Sequence, residues 1–107
     1  MKKRFFSLLG GLLCTGLLLS CAKKENQQNV LTVAASPEPH KAILELVVAD
    51  LAKENITLKI TEFTDYVTPN DAVETGEQDA NFFQHVPYME SFNKEHGYHL
   101  ASVGAVH

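Results

Sequence analysis

The sequence predicts an α/β fold, a mostly parallel sheet flanked by helices. Two observations carry that prediction. Segments with strand and helix periodicity alternate along the chain, and turn or cap residues stand at the junctions between them. The order strand–helix–strand–helix–strand–helix–strand then calls for crossover connections, which lay helices against the faces of a parallel sheet. No internal repeat or low-complexity tract breaks the alternation.

Residues 30–35 are a short run rich in β-branched side chains, and read as a buried strand. Ser36 and Pro37 start a helix, Ser36 as its N-cap and Pro37 in the first turn. Ile43, Leu44, Val47, Val48 and Leu51 recur at helical spacing, with Lys41, Glu45 and Lys53 off that face. Asn55 fits a left-handed cap at its end. Ile56, Leu58 and Ile60 alternate with Thr57, Lys59 and Thr61, the period-2 mark of a second strand. Thr68 and Pro69 open a short helix that Gly76 closes, and residues 79–83 form a third strand. Pro87 opens a helix carrying Tyr88 and Phe92 on one side, which Gly97 ends; residues 100–106 are predicted as a last strand. In such sheets ligands gather beyond the carboxyl ends of the strands, here Ser36, residues 64–66 and residues 83–85.

Ahead of this fold lies an export signal. Lys2, Lys3 and Arg4 precede an apolar run over residues 5–19, shorter than the roughly 20 apolar residues of a membrane span. Leu18-Leu19-Ser20-Cys21 resembles the lipobox of bacterial lipoproteins: small Ser20 leaves room for the peptidase, and the Cys21 thiol carries the lipid. The expected organisation is a signal peptide over residues 1–20, acylated Cys21 with a polar, aperiodic tether to residue 29, and one α/β lobe over residues 30–107. The mature protein is expected at the cell membrane, lipid-anchored, facing the periplasm or the cell exterior. Cys14 leaves with the signal, so no internal disulfide is expected.

All 13 acidic residues follow Cys21, whereas three of the nine basic ones precede it, so the mature formal charge is −7 rather than −4. An acidic surface argues against nucleic acid and against electrostatic docking on anionic lipid, leaving the lipid itself as the attachment. The sequence holds no nucleophile motif, and neither catalysis nor a cofactor is expected. Histidines are the one hint of a metal. His96 and His99 lie three apart, but Gly97 between them ends the helix, and no metal-ligand spacing appears, so no metal site is assigned.

Two segments carry a resemblance. Residues 63–70 (FTDYVTPN) and 79–88 (DANFFQHVPY) resemble the F-x-D-Y-x-x-P-N and D-A-N-x-F-Q-H-x-P-Y segments of the NlpA lipoprotein family, which includes the methionine-binding lipoproteins of ABC importers. The resemblance implies a type 2 periplasmic-binding-protein fold and a small-molecule ligand, L-methionine or a related amino acid. By position it implies that Tyr66, Phe83, His85 and Tyr88 line the ligand pocket. Those residue types suit a thioether, which gains about 0.3–1.5 kcal/mol against an aromatic ring. Asn81 and Gln84 are expected to brace backbone. Phe82, adjacent to Phe83 and so facing the other way in a strand, is expected in the core.

Family members continue past residue 107, so the expectation is one incomplete lobe, truncated before the second, that binds ligand weakly alone. An ABC transporter permease is the implied partner of a full-length form. No Arg follows Arg4, so nothing here forks onto a ligand carboxylate. Two further readings stay open, a repurposed lipoprotein acting as an interaction module and a metal-binding lipoprotein.

Overall fold

The computed structural model describes residues 29–106; the export signal, Cys21 and most of the tether lie outside them. Three strands, β1 (Asn29–Ala35), β2 (Ile56–Glu62) and β3 (Ala80–Phe82), form a sheet in the order β2-β1-β3, and both pairings are parallel. β1 runs in full register from Asn29 opposite Ile56 to Ala35 opposite Glu62. It therefore starts at Asn29, a residue the sequence assigned to the tether. β3 pairs only with the last part of β1, from Val33 opposite Ala80. A clasp precedes that pairing: the Thr32 backbone N–H and hydroxyl both donate to Asp79 Oδ2 at 2.9 and 3.0 Å. Those two bonds, the backbone one first, hold the Asp79 carboxyl below its ordinary range.

The order β2-β1-β3 fixes where the helices sit. The first crossover steps from β1 to one side, and the second steps from β2 back across β1 to the other. Two right-handed crossovers in opposite directions put their helices on opposite faces of the sheet. The first face receives α1 (Ala42–Glu45) and α2 (Val48–Lys53); the second receives α3 (Thr68–Glu74), extended by α4 (Val86–His96). Central β1 is consequently covered on both sides, and Val33, Ala34 and Ala35 are buried with Leu58 of β2, Ala72 of α3 and Phe92 of α4. Phe82 is only half-buried, its ring edge-on to His40 at 4.7 Å, rather than in this core.

Sequence signals and structure part company in two further places. The helix expected after Ser36 starts late and is broken. A wide turn over Pro37–Lys41, closed by Lys41 N–H to the Ser36 carbonyl at 3.0 Å, leads into α1. Ser36 makes no side-chain cap, because its hydroxyl lies 2.6 Å from His40 Nδ1 instead. At Leu46 and Val47 the bonding tightens to three-residue turns, separating α1 from α2. The second difference is at residues 100–106, which join no strand. Leu100 is held by Asn93, whose side chain accepts from its N–H at 3.0 Å and donates to its carbonyl at 2.8 Å. Beyond it residues 101–106 are exposed. Val103 and Val106 stay exposed, because a strand needs a paired neighbour as well as a suitable pattern.

Other signals hold. Asn55 takes a positive φ of 65° after α2, and Gly97 ends α4 at φ 70°, a left-handed conformation that is cheap for glycine. Among the described residues, no helix is long and apolar enough to cross a membrane.

Candidate functional site

The two motif segments meet beyond the carboxyl ends of β2 and β3. The chain leaves β2 through residues 63–67, where Asp65 turns back to cap α3: its Oδ2 accepts the backbone N–H groups of Thr68 at 2.6 Å and Val67 at 3.0 Å. Those bonds, Thr68 first, hold the Asp65 carboxyl below its usual range. The cap also fixes the orientation of neighbouring Tyr66, whose ring is 64% exposed.

From the other motif, Phe83 leaves the end of β3 on the α3 and α4 side, opposite in direction to Phe82. Its ring lies parallel to that of Tyr66, centroids 6.0 Å apart and planes within 11°. Tyr88, in the first turn of α4, meets Phe83 edge-on at 6.1 Å, and its hydroxyl donates to the Tyr66 carbonyl at 2.7 Å. Three of the four residues assigned from sequence, Tyr66, Phe83 and Tyr88, thus form one shelf of rings, partly open to solvent. The rings continue away from it: Tyr88 touches Phe92 at 5.9 Å, and Phe92 stacks on His96 at 3.9 Å. Residues 88, 92 and 96 share a helix face, so the buried Phe92 supports the shelf from below.

His85 does not join the rings. It stands immediately before α4, its carbonyl accepting the N–H groups of Tyr88 and Met89, and its side chain is exposed. It borders a cavity of about 390 Å³ between β3 and residues 100–106, which Phe83 also lines but Tyr66 and Tyr88 do not. The shelf and the cavity are therefore neighbours that share Phe83, with Tyr66 and Tyr88 on the shelf and His85 on the cavity.

Sequence reasoning assigned Asn81 and Gln84 to bracing and overlooked Asn70. Asn70 is fully buried, at 0% exposure. Its Oδ1 accepts from Asn81 Nδ2 at 2.9 Å and from Gln84 Nε2 at 2.6 Å, while its Nδ2 donates to Gln84 Oε1 at 3.0 Å. Asn81 Nδ2 also donates to the Pro69 carbonyl at 3.0 Å. The available signal was an amide following Pro69 at the start of a helix, in a motif whose partner segment holds two more amides. Among the described residues, no three His, Cys, Asp or Glu side chains converge as metal ligands would.

Solved structures that share this parallel α/β lobe include lipoproteins and a periplasmic substrate-binding protein. Lipoprotein Tp32 of Treponema pallidum superposes with a TM-score of 0.70 and 45% identity, over 73% of this chain and 32% of its own. An ABC transporter periplasmic substrate-binding protein from Coxiella burnetii superposes at 0.65 with 33% identity, over 69% and 32%. In sequence, the methionine-binding lipoprotein MetQ of Bacillus subtilis is 39% identical over 113 residues, 100% of this chain and 40% of that protein. The NlpA lipoprotein family model matches residues 31–107, and the chain belongs to that family. It spans about two fifths of the length of the curated relatives it matches.

Proposed function

We propose that this chain supplies one wall of an amino-acid-binding site in a lipid-anchored component of an ABC importer, with methionine as the ligand. The observation that carries the reading is the ring shelf: Tyr66, Phe83 and Tyr88, drawn from two separate segments, converge where a parallel sheet presents its ligands. A thioether is polarisable and packs well against such rings, and the half-exposed faces leave it room to do so. The relatives support the ligand class, since MetQ of Bacillus subtilis is by name methionine-binding and the Coxiella burnetii protein serves an ABC transporter. Lipid on Cys21 would hold the lobe at the outer side of the membrane that carries the transporter. His85 is the site's polar member, reaching the ligand from the cavity side of Phe83.

One wall is a weak site. Burying a methionine side chain completely gains roughly 1.5–3 kcal/mol, and a single open wall removes only part of it from water. Association costs about 4 kcal/mol or more in lost freedom. No Arg follows Cys21 to pair the ligand's carboxylate. Calorimetry on residues 22–107 is therefore expected to show no saturable methionine binding below about millimolar. The same residues joined to the remaining length of the relatives are expected to bind at about micromolar, and Phe83→Ala in that longer form to weaken binding about tenfold. Micromolar binding by residues 22–107 alone overturns the one-wall reading, and indifference of the longer form to Phe83→Ala overturns the shelf.

A further inference from the structure

We propose that Asn70, Asn81 and Gln84 form a positioning network that sets Phe83 and His85 in register with Tyr66, preorganising the shelf; this rests on the ligand reading above. The three amides come from α3, from β3 and from the connection between β3 and α4. Their orientations follow from one another, starting at a backbone atom. The Pro69 carbonyl can only accept, so the Asn81 group 3.0 Å from it is Nδ2, and Asn81 Oδ1 must turn towards Gln84. The same Nδ2 donates to Asn70, which makes the Asn70 atom at 2.9 Å its Oδ1. Asn70 Nδ2 is then left to donate to Gln84 Oε1 at 3.0 Å. Gln84 Nε2 is thereby turned towards two acceptors, Asn70 Oδ1 at 2.6 Å and Asn81 Oδ1 at 3.2 Å. Flipping any one amide would set donor against donor or acceptor against acceptor, inside a site where Asn70 has no access to water.

Gln84 lies between Phe83 and His85, so a side chain pinned on both amide atoms pins the backbone that carries both residues. Asn70 lies four residues after Tyr66 and within α3, whose start Asp65 caps. The network therefore ties together the bases of the two ring-bearing segments. The rings' own contacts, 6.0 and 6.1 Å between centroids, lie in the ordinary range for aromatic pairs, and the amide bonds add fixed direction to them in setting the shelf geometry.

The test follows the Tyr66 and Phe83 ring resonances by NMR in the full chain held in detergent micelles. Wild type, Gln84→Glu and Gln84→Met are compared between about pH 7 and about pH 4. In Gln84→Glu, an ionised carboxylate would aim an oxygen at two locked acceptors, which raises its pKa; once protonated, its O–H replaces the amide donor. Gln84→Glu is expected to lose the ring contact at neutral pH and regain it in acid. Gln84→Met, of similar length but without donors, is expected to lose it throughout. L-Methionine at millimolar concentration is expected to shift the wild-type rings and those of acidified Gln84→Glu, with affinity about tenfold lower in Gln84→Met. Should Gln84→Met unfold, Asn81→Ala serves: removing the anchor on the Pro69 carbonyl should let Gln84 flip and average the Phe83 shift. Ring contact intact in both Gln84 variants overturns the proposal, as does an unaltered Phe83 shift in Asn81→Ala. A Gln84→Glu chain that stays folded but ignores acid also overturns it. Rings that follow the predicted pH response yet never respond to methionine uphold the network and remove the ligand reading instead.

Discussion

The two faces of the sheet are held by different kinds of interaction. On the α3 and α4 face, directional bonds and rings dominate: the buried amides around Asn70, the Asp65 cap, and a continuous run of aromatic contacts from Tyr66 to His96. On the α1 and α2 face, cover is apolar and incomplete. Ile43, Leu44 and Leu51 are half-buried, while Leu46, Val47 and Val48 are 77%, 39% and 37% exposed. Apolar contact is non-directional and tolerates a broken helix; buried hydrogen bonds between fixed donors and acceptors do not tolerate drift. The contrast teaches that position is specified most tightly on the face that presents the candidate site.

The largest expected effect on that contrast comes from removing its apolar support. Phe92 is 5% exposed and touches Tyr88, His96 and Tyr98. Phe92→Ala is expected to cost about 3–5 kcal/mol, enough to unfold a small lobe, read from denaturant unfolding curves. Next comes the polar support. Asn70→Ala leaves Gln84 and Asn81 short of partners in a buried site and is expected to cost about 1–3 kcal/mol by the same measurement. A loss under about 0.5 kcal/mol would mean that the amides are satisfied some other way, and the two faces would differ less than their geometry suggests.

Acid should act first where carboxylates accept directional bonds, at the β1–β3 clasp and at the start of α3. Asp79 and Asp65 have carboxyls held below their ordinary range by Thr32 and Thr68 respectively. A depressed folded pKa gives stability that is present above the unfolded value and is lost as pH falls through the folded one. The melting temperature is therefore expected to be level near neutrality and to fall below about pH 4. Asp79→Asn should be less stable at neutral pH but show a shallower acid limb. An acid limb unchanged in Asp79→Asn would remove the clasp from this account.

These contrasts also explain what could be read from sequence. β2 was legible because its alternation of Ile and Leu with Thr and Lys matches a half-buried strand, and Asn55 and Gly97 were legible because left-handed residues have few chemical options. That Tyr66, Phe83 and Tyr88 come together was legible through the motifs that carry them. Residues 100–106 were misread because periodicity reports which side chains favour burial and never whether a neighbouring strand is there to pair with. Ser36 was misread for a different reason: a capping side chain has competitors, and His40, four residues on, takes its hydroxyl. The role of Asn70 stayed hidden because an amide's value depends on partners brought from eleven and fourteen residues away.

The smallest expected effect tests the other side of the comparison. Leu46 stands where α1 gives way to α2, with its backbone N–H bonded to the Ile43 carbonyl at 3.1 Å and its side chain mostly in water. Leu46→Lys removes little buried area and no hydrogen bond, since the N–H remains. Lysine is also as good a helix former as leucine, so the turn itself has no preference between them. The substitution should change unfolding free energy by no more than about 0.5 kcal/mol, as for other exposed sites. It should leave the Tyr66 and Phe83 ring resonances where they are, because no directional bond joins this turn to the shelf. A destabilisation of about 2 kcal/mol would mean that Leu46 is covered in solution, since only the loss of buried apolar surface reaches that size for one leucine. The α1 and α2 face would then be a packed interface rather than a loose one, and the difference between the two faces would lie in what covers them.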